Sequence, residues 1–201
     1  MKRAAIALTL GLVGSLLCNA GTQGQTKNQK KQMPIYEDHD GYEVLSVLLN
    51  RLSVVQKNET VKIGPRTVPP RDVAEIKARC SGIPPEFQSA SEDFEKVVQT
   101  RFRLRKMFAL KKNYELAYPS AMADMGHLET KEEAHKRIRS GTYYVAAVGF
   151  DEKRTRAIAF VQYICGNLCG NSLFYYLRKS EKGWKEAPEV PPKVQSCGEI
   201  Y

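Results

Sequence analysis

Val148–Trp184 reads VGFDEKRTRAIAFVQYICGNLCGNSLFYYLRKSEKGW, and the way this stretch divides decides the fold. β-Branched and aromatic residues concentrate in Tyr143–Phe150, Thr155–Cys165 and Ser172–Lys179. Polar or glycine-rich turns separate them: Asp151-Glu152-Lys153-Arg154, the tip around Gly166-Asn167-Leu168, and Ser180-Glu181-Lys182-Gly183. Strand-forming segments punctuated by turn residues at this spacing predict consecutive antiparallel strands, a β-meander. On the middle strand Ala157, Ala159, Val161 and Tyr163 share one face, and Ile158, Phe160 and Ile164 the other. Both sets are largely apolar, so part of the sheet is expected to be covered on both sides. The block carries no catalytic constellation and no nucleotide-binding loop.

The cover must come from upstream. Leu45, Leu48, Leu49 and Leu52 recur at helical spacing behind Asp40-Gly41-Tyr42-Glu43, a variant capping box, which predicts a helix over about 41–53. A second helix is expected over Pro84–Thr100, with Phe87, Phe94, Val97 and Val98 facing inward. Short strands are expected at Thr60–Ile63 and Lys112–Tyr118. Two helical turns are expected in Arg71–Arg79, and a helix opened by Thr130-Lys131-Glu132-Glu133 to about Ser140. Pro69-Pro70 and Gly82-Ile83-Pro84-Pro85 break the chain between these elements.

The N-terminus has the grammar of an export signal. Lys2 and Arg3 precede an apolar run of about fourteen residues, Ala4–Leu17, which ends in Cys18-Asn19-Ala20. A membrane span needs roughly 20 apolar residues, so the run reads as a signal peptide, residues 1–20, cleaved after Ala20. Lipidation at Cys18 is the alternative, although Leu17 stands where a lipoprotein signal has a small residue. Residues 21–33 are polar, lack aromatics and are expected to be a disordered leader. The remainder, 34–201, fits one domain, with a proline-rich tail from about residue 186. With Lys2 and Arg3 removed, and no acid among the first twenty residues, the formal charge falls from +9 to +7. That balance is compatible with an anionic envelope surface as partner. An exported protein seldom meets nucleic acid, and no transmembrane segment is expected once the signal is removed.

Four cysteines follow the signal: Cys80, Cys165, Cys169 and Cys197. In an exported chain an even count predicts disulfides rather than a metal site. Cys165 and Cys169 flank a hairpin tip and are expected to pair across it, which leaves Cys80 with Cys197. The C-x-x-x-C spacing is not that of a thioredoxin-like dithiol, so a structural bridge is favoured over a redox site.

The same residues resemble the C-terminal hallmark of a family of uncharacterised exported bacterial proteins. Val148-Gly149-Phe150-Asp151 is similar to that family's VGFN-like turn, and Thr155–Val161 to its TxALVYV-like strand. Cys165-Gly166-Asn167-Leu168-Cys169-Gly170 is similar to its CGxLCG-like tip, and Tyr175-Tyr176-Leu177-Arg178-Lys179 to its YYLL-x-K strand. Gly183 and Trp184 are adjacent, where the family spaces them. Upstream, Tyr42–Leu49 and Asp93-Phe94-Glu95-Lys96 resemble its first and middle helices. The resemblance spans roughly Gly41–Trp184 and implies a fold and export, with no assigned activity. The chain departs from it in the tail Ala187-Pro188-Glu189-Val190-Pro191-Pro192 and onward to Cys197.

Motifs for chemistry are sparse. His39, His127 and His135 form no H-x-x-x-H or H-E-x-x-H arrangement, and no G-x-S-x-G elbow or phosphate loop occurs. No catalytic residue, metal ligand or cofactor is therefore assigned. The basic run is the exception: Arg101, Arg103, Arg105, Lys106, Lys111 and Lys112 lie in twelve residues with no acid between them. If extended, Arg101, Arg103 and Arg105 share a face and offer three guanidinium groups to an anion, with Lys106 beside them. The structural alternative is an apolar edge packing inward at Phe102, Leu104 and Phe108 while the cations snorkel into water.

The expected protein is a single α+β domain with an antiparallel β-meander at its C-terminal end and helices packed on the sheet. It is expected to be periplasmic or secreted, disulfide-stapled, and a non-enzymatic binding or structural module. The alternatives are a hydrolase-type enzyme whose site is not a sequence motif, and an envelope-associated binder of anionic polymers through residues 101–112.

Overall fold

The computed structural model describes residues 32–53, 60–70, 83–117, 141–166, 169–190 and 198–200. Its helices are α1, His39–Leu52, and α2, Gln88–Val97, which follows a 3₁₀ turn at Pro85–Phe87. Its strands are β1, Val61–Ile63; β2, Tyr114–Leu116; β3, Thr142–Val145; β4, Gly149–Phe150; β5, Arg156–Gly166; β6, Cys169–Ser180; β7, Gly183–Glu186; and β8, Gly198–Ile200. The predicted helices at 71–79 and 130–140 lie outside the described residues.

The β5–β6 hairpin organises everything else. Its register runs from Arg156 opposite Arg178 to Gly166 opposite Cys169, with a shift between Ile164 and Gly166. Alternation then sorts the side chains as the sequence predicts. Ala157, Ala159, Val161, Tyr175 and Leu177 join Val44, Leu45, Leu48 and Leu49 of α1 in one core. Ile158, Phe160, Phe174 and Tyr176 join Phe87, Phe94 and Val98 in a second core on the α2 side. Each fully buried leucine of α1 contributes about 1.5–3 kcal/mol relative to an exposed position. Two apolar faces and two helical covers are thus consequences of one alternating strand pair.

The fold is α+β, but its sheet is mixed rather than a pure antiparallel meander. The strand order is β2-β1-β3-β5-β6-β7, with β4 against β5 and β8 against β6. β1 runs parallel to both β2 and β3. A three-residue strand has no pattern that reports its direction, and its partner β3 lies far along the chain, so this pairing left no local trace. The expected strand Tyr143–Phe150 is also divided. Ala146 still donates to Phe160 O at 3.1 Å, but the Val148 N–H turns to the Tyr36 hydroxyl at 3.2 Å. β4 then resumes beneath α2, where a Cβ on Gly149 would overlap the backbone of Phe94. The Phe150 N–H donates to Asp93 of α2 at 2.9 Å. The glycine of the V-G-F-D turn is therefore a contact surface for a helix.

Helix ends differ from expectation in instructive ways. Asp38, not Asp40, caps α1, accepting from Gly41 N at 3.1 Å. The second helix begins with a 3₁₀ turn because Phe87 N reaches back three residues to Pro84 O, at 2.8 Å. At the other end of the sheet Ser180 pairs with Gly183, which takes φ +98° and closes a two-residue turn into β7. The proline-rich segment begins as part of the core: Ala187 and Val190 are buried. Residues 33–201 form one compact unit. Among the described residues, no helix is long and apolar enough to cross a membrane.

Candidate anion-binding face

Residues 100–113 cross the α1 side of the molecule with almost no regular structure, yet their backbone is held at many points. Arg103 N donates to Pro34 O and Tyr36 N to Arg103 O, at 2.8 and 2.9 Å. On the opposite flank Leu104 N donates to Pro65 O, Thr67 N to Phe102 O, and Phe102 N to the Thr67 hydroxyl. Arg103 is thereby bridged in parallel to Ile35 and antiparallel to Arg66. A stripe on α1 fixes the rest: Tyr42 accepts from Arg105 N at 2.8 Å, Ser46 from Ala109 N at 2.9 Å and Asn50 from Lys111 N at 2.8 Å. These three residues are four apart, so one face of the helix holds the segment at three points.

Alternation does the rest. Phe102 is half-buried and Leu104 and Phe108 are buried, while Arg101, Arg103, Arg105 and Lys106 are exposed. The predicted arginines are each exposed, and Arg66, which sequence reasoning missed, is bridged to Arg103. Bridge partners project to the same side, so Arg66 and Arg103 are cross-strand neighbours of like charge. The separation of 37 positions between them left nothing for a motif to catch. Arg105 reaches Glu37 at 3.6 Å with both side chains more than half in solvent, a contact worth little. Arg66 lies near Tyr144, where its charge offsets part of the rise that burial imposes on that phenol. Lys112 turns back to Ser53 O at 3.4 Å.

The other charged cluster is already committed to the fold. Asp151 accepts from Thr155 N, the Thr155 hydroxyl and Arg156 N at 2.6–2.8 Å. Burial pushes its carboxyl up, but these hydrogen bonds and the Arg156 charge outweigh it and hold it below the usual range. Arg154, at φ +53°, bonds Asp38 and Asp40 and stacks over Phe150 at 3.9 Å. The hydrogen bond from Lys179, at 2.9 Å, leads those that hold Asp40 below its ordinary value. An open depression of about 380 Å³ lies beside this corner, lined by Ser89, Glu92, Asp93, Lys96, Phe150, Asp151, Glu152 and Arg154. Asp93, Asp151 and Arg154 all make hydrogen bonds that tie this wall to the fold. Among the described residues, no group of three or more His, Cys, Asp or Glu could hold a metal. His39 is exposed at the start of α1; His127 and His135 lie outside the described residues.

Cys165 is buried at the point where the hairpin register shifts, and the ladder sets Gly166, not Cys165, directly opposite Cys169. Cys80 and Cys197 lie outside the described residues. A comparison with family models, curated proteins and solved structures finds no match.

Proposed function

We propose that this is an exported, non-enzymatic module that binds anionic polymers or surfaces of the cell envelope through Arg66, Arg101, Arg103, Arg105 and Lys106. The observation that carries the reading is the exposed array itself: Arg66 bridged to Arg103, with Arg101 and Arg105 alternating beside it on a pinned backbone. Guanidinium groups donate to carboxylate or phosphate in bidentate fashion, which lysines do not. Neighbours two apart on an extended segment lie about 7 Å from one another, inside the roughly 8 Å screening length of physiological salt, so their potentials sum. A fixed backbone also lowers the ordering cost of binding.

The signal-like N-terminus supports export, and mass of the mature chain beginning at Gly21 tests it. A bridge at Cys165 belongs to the same reading, and the burial of that residue supports it. Non-reducing peptide mapping identifies the partner, with Cys169 expected. The binding test is retention on a polyphosphate or heparin matrix against a salt gradient. Arg101→Gln/Arg103→Gln/Arg105→Gln is expected to elute at clearly lower salt. Lys153→Gln/Lys182→Gln/Lys185→Gln, which removes the same charge from exposed positions elsewhere, is expected to elute close to the parent. Equal losses in the two variants would reduce the face to net charge and sink the proposal.

A further inference from the structure

The outer side of the segment that carries the arginines is not only charged. Arg103 is bridged on one flank to Ile35 and on the other to Arg66. Bridge partners project to the same side, so the three side chains form one row across extended segments about 5 Å apart. The residues between them in sequence face the other way: Tyr36 and Leu104 are buried in the α1-side core, and Phe102 packs against it.

Residues two along from each member of the row keep to its side. Glu37 and Arg105 show this directly, because they stand two beyond Ile35 and Arg103 and meet at 3.6 Å. Met33 lies two before Ile35. Val68 lies two beyond Arg66, on backbone whose N–H groups alternate: Thr67 N donates to Phe102 O and Val68 N to Val145 O. Met33, Ile35 and Val68 are half-buried, and none of them belongs to either hydrophobic core. Aliphatic side chains are thus interleaved with exposed arginines on one outer face.

A polyanion in water gains nothing from the aliphatic members of that face. The interface of an anionic bilayer uses both kinds. Its phosphates meet the guanidinium groups, and the apolar layer that begins just beneath them takes aliphatic side chains and arginine stems. We propose that this face docks on the surface of an anionic phospholipid bilayer, with Arg66, Arg101, Arg103 and Arg105 at the lipid phosphates and Met33, Ile35 and Val68 entering the boundary below. The proposal rests on the anion-binding reading above and names the partner of that same face. Each arginine held at such a surface contributes about fivefold to binding.

The test is flotation of the full mature chain with vesicles, run beside elution from the polyphosphate matrix. Binding is expected to vesicles of phosphatidylcholine mixed with phosphatidylglycerol, and not to phosphatidylcholine alone. Ile35→Ser/Val68→Ser is expected to weaken vesicle binding about tenfold, for roughly half of two aliphatic side chains entering the interface, while eluting from the matrix at the salt of the parent. Ile35→Phe/Val68→Phe is expected to bind the same vesicles more tightly, again with unchanged elution, and it decides the matter if the serine variant fails to fold. A parent that is retained on the matrix but does not float with anionic vesicles would overturn the bilayer and leave the anion-binding face standing. Loss of both would end both. Vesicle binding indifferent to the serine and phenylalanine pairs would reduce the contact to charge and overturn the proposal. So would a serine variant that converts the free protein from dimer to monomer in sedimentation, since the aliphatic patch would then belong to a second copy of the chain.

Discussion

The β4–β5 corner and the segment 100–113 both place arginines outside regular structure, and the fold uses them in opposite ways. At the corner the side chains are the structure: Arg154 bonds two aspartates, and Asp151 folds the turn around itself. In the segment the backbone is the structure. Tyr42, Ser46 and Asn50 grip its N–H groups, and Arg101, Arg103 and Arg105 are exposed. The difference teaches where to look for function in a charged region. A charge that holds the chain is already spent, whereas a charge whose own backbone is held by other residues remains available to a ligand.

Four measurements break or sharpen that contrast. The largest effect is expected from Gly149→Val at the corner, which drives a side chain into α2 and should cost about 3 kcal/mol in urea unfolding, at the upper end of overpacking. A neutral result would mean that α2 does not rest on β4. Next, Tyr42→Phe removes the acceptor for Arg105 N and a donor to Tyr36 O. It should cost about 1–2 kcal/mol and increase amide exchange at Arg105. Unchanged exchange there would show that α1 does not grip the segment.

A smaller effect is expected with acid. Asp40 and Asp151 titrate below their ordinary value of 3.8 in the folded state. Below that value the unfolded chain binds protons that the folded chain still refuses, so stability falls as pH drops through the folded values. Asp151→Asn should flatten the acid limb below about pH 5, by on the order of 1 kcal/mol for a partly solvated carboxylate. A variant with an unaltered acid limb would remove Asp151 from the account. The smallest effect on stability belongs to Arg101→Gln/Arg103→Gln/Arg105→Gln, with less than about 0.5 kcal/mol expected per site. A larger drop in Tm would mean that these side chains, like Arg154, hold the chain.

What could be read in advance was local. Alternation in Ala157–Val161 identified both faces of the sheet, and leucine spacing found α1 because burial imposes those periods directly on neighbouring residues. Alternation likewise found Arg101, Arg103 and Arg105. Asp38 and Asp40 are two acids at one helix start, and choosing the cap required knowing that the helix begins at His39 and that Lys179 would claim Asp40. Arg156 opposite Arg178 follows from the hairpin tip expected between Cys165 and Cys169, whereas Arg66 beside Arg103 depends on register between distant segments. No period within either segment encodes that register. The parallel pairing of β1 escaped for the same reason.

The strand order has a consequence for the time course of folding. α1 rests on strands that follow it by about a hundred residues, and β1 must close a loop of nearly eighty before it meets β3. The β5–β6 hairpin, by contrast, needs only its own turn. Loops that long are slow to close, so the hairpin is expected to form early and the N-terminal elements to dock onto it. A chain made from its N-terminus therefore carries α1 and β1 without a surface to bury them until its last quarter is complete.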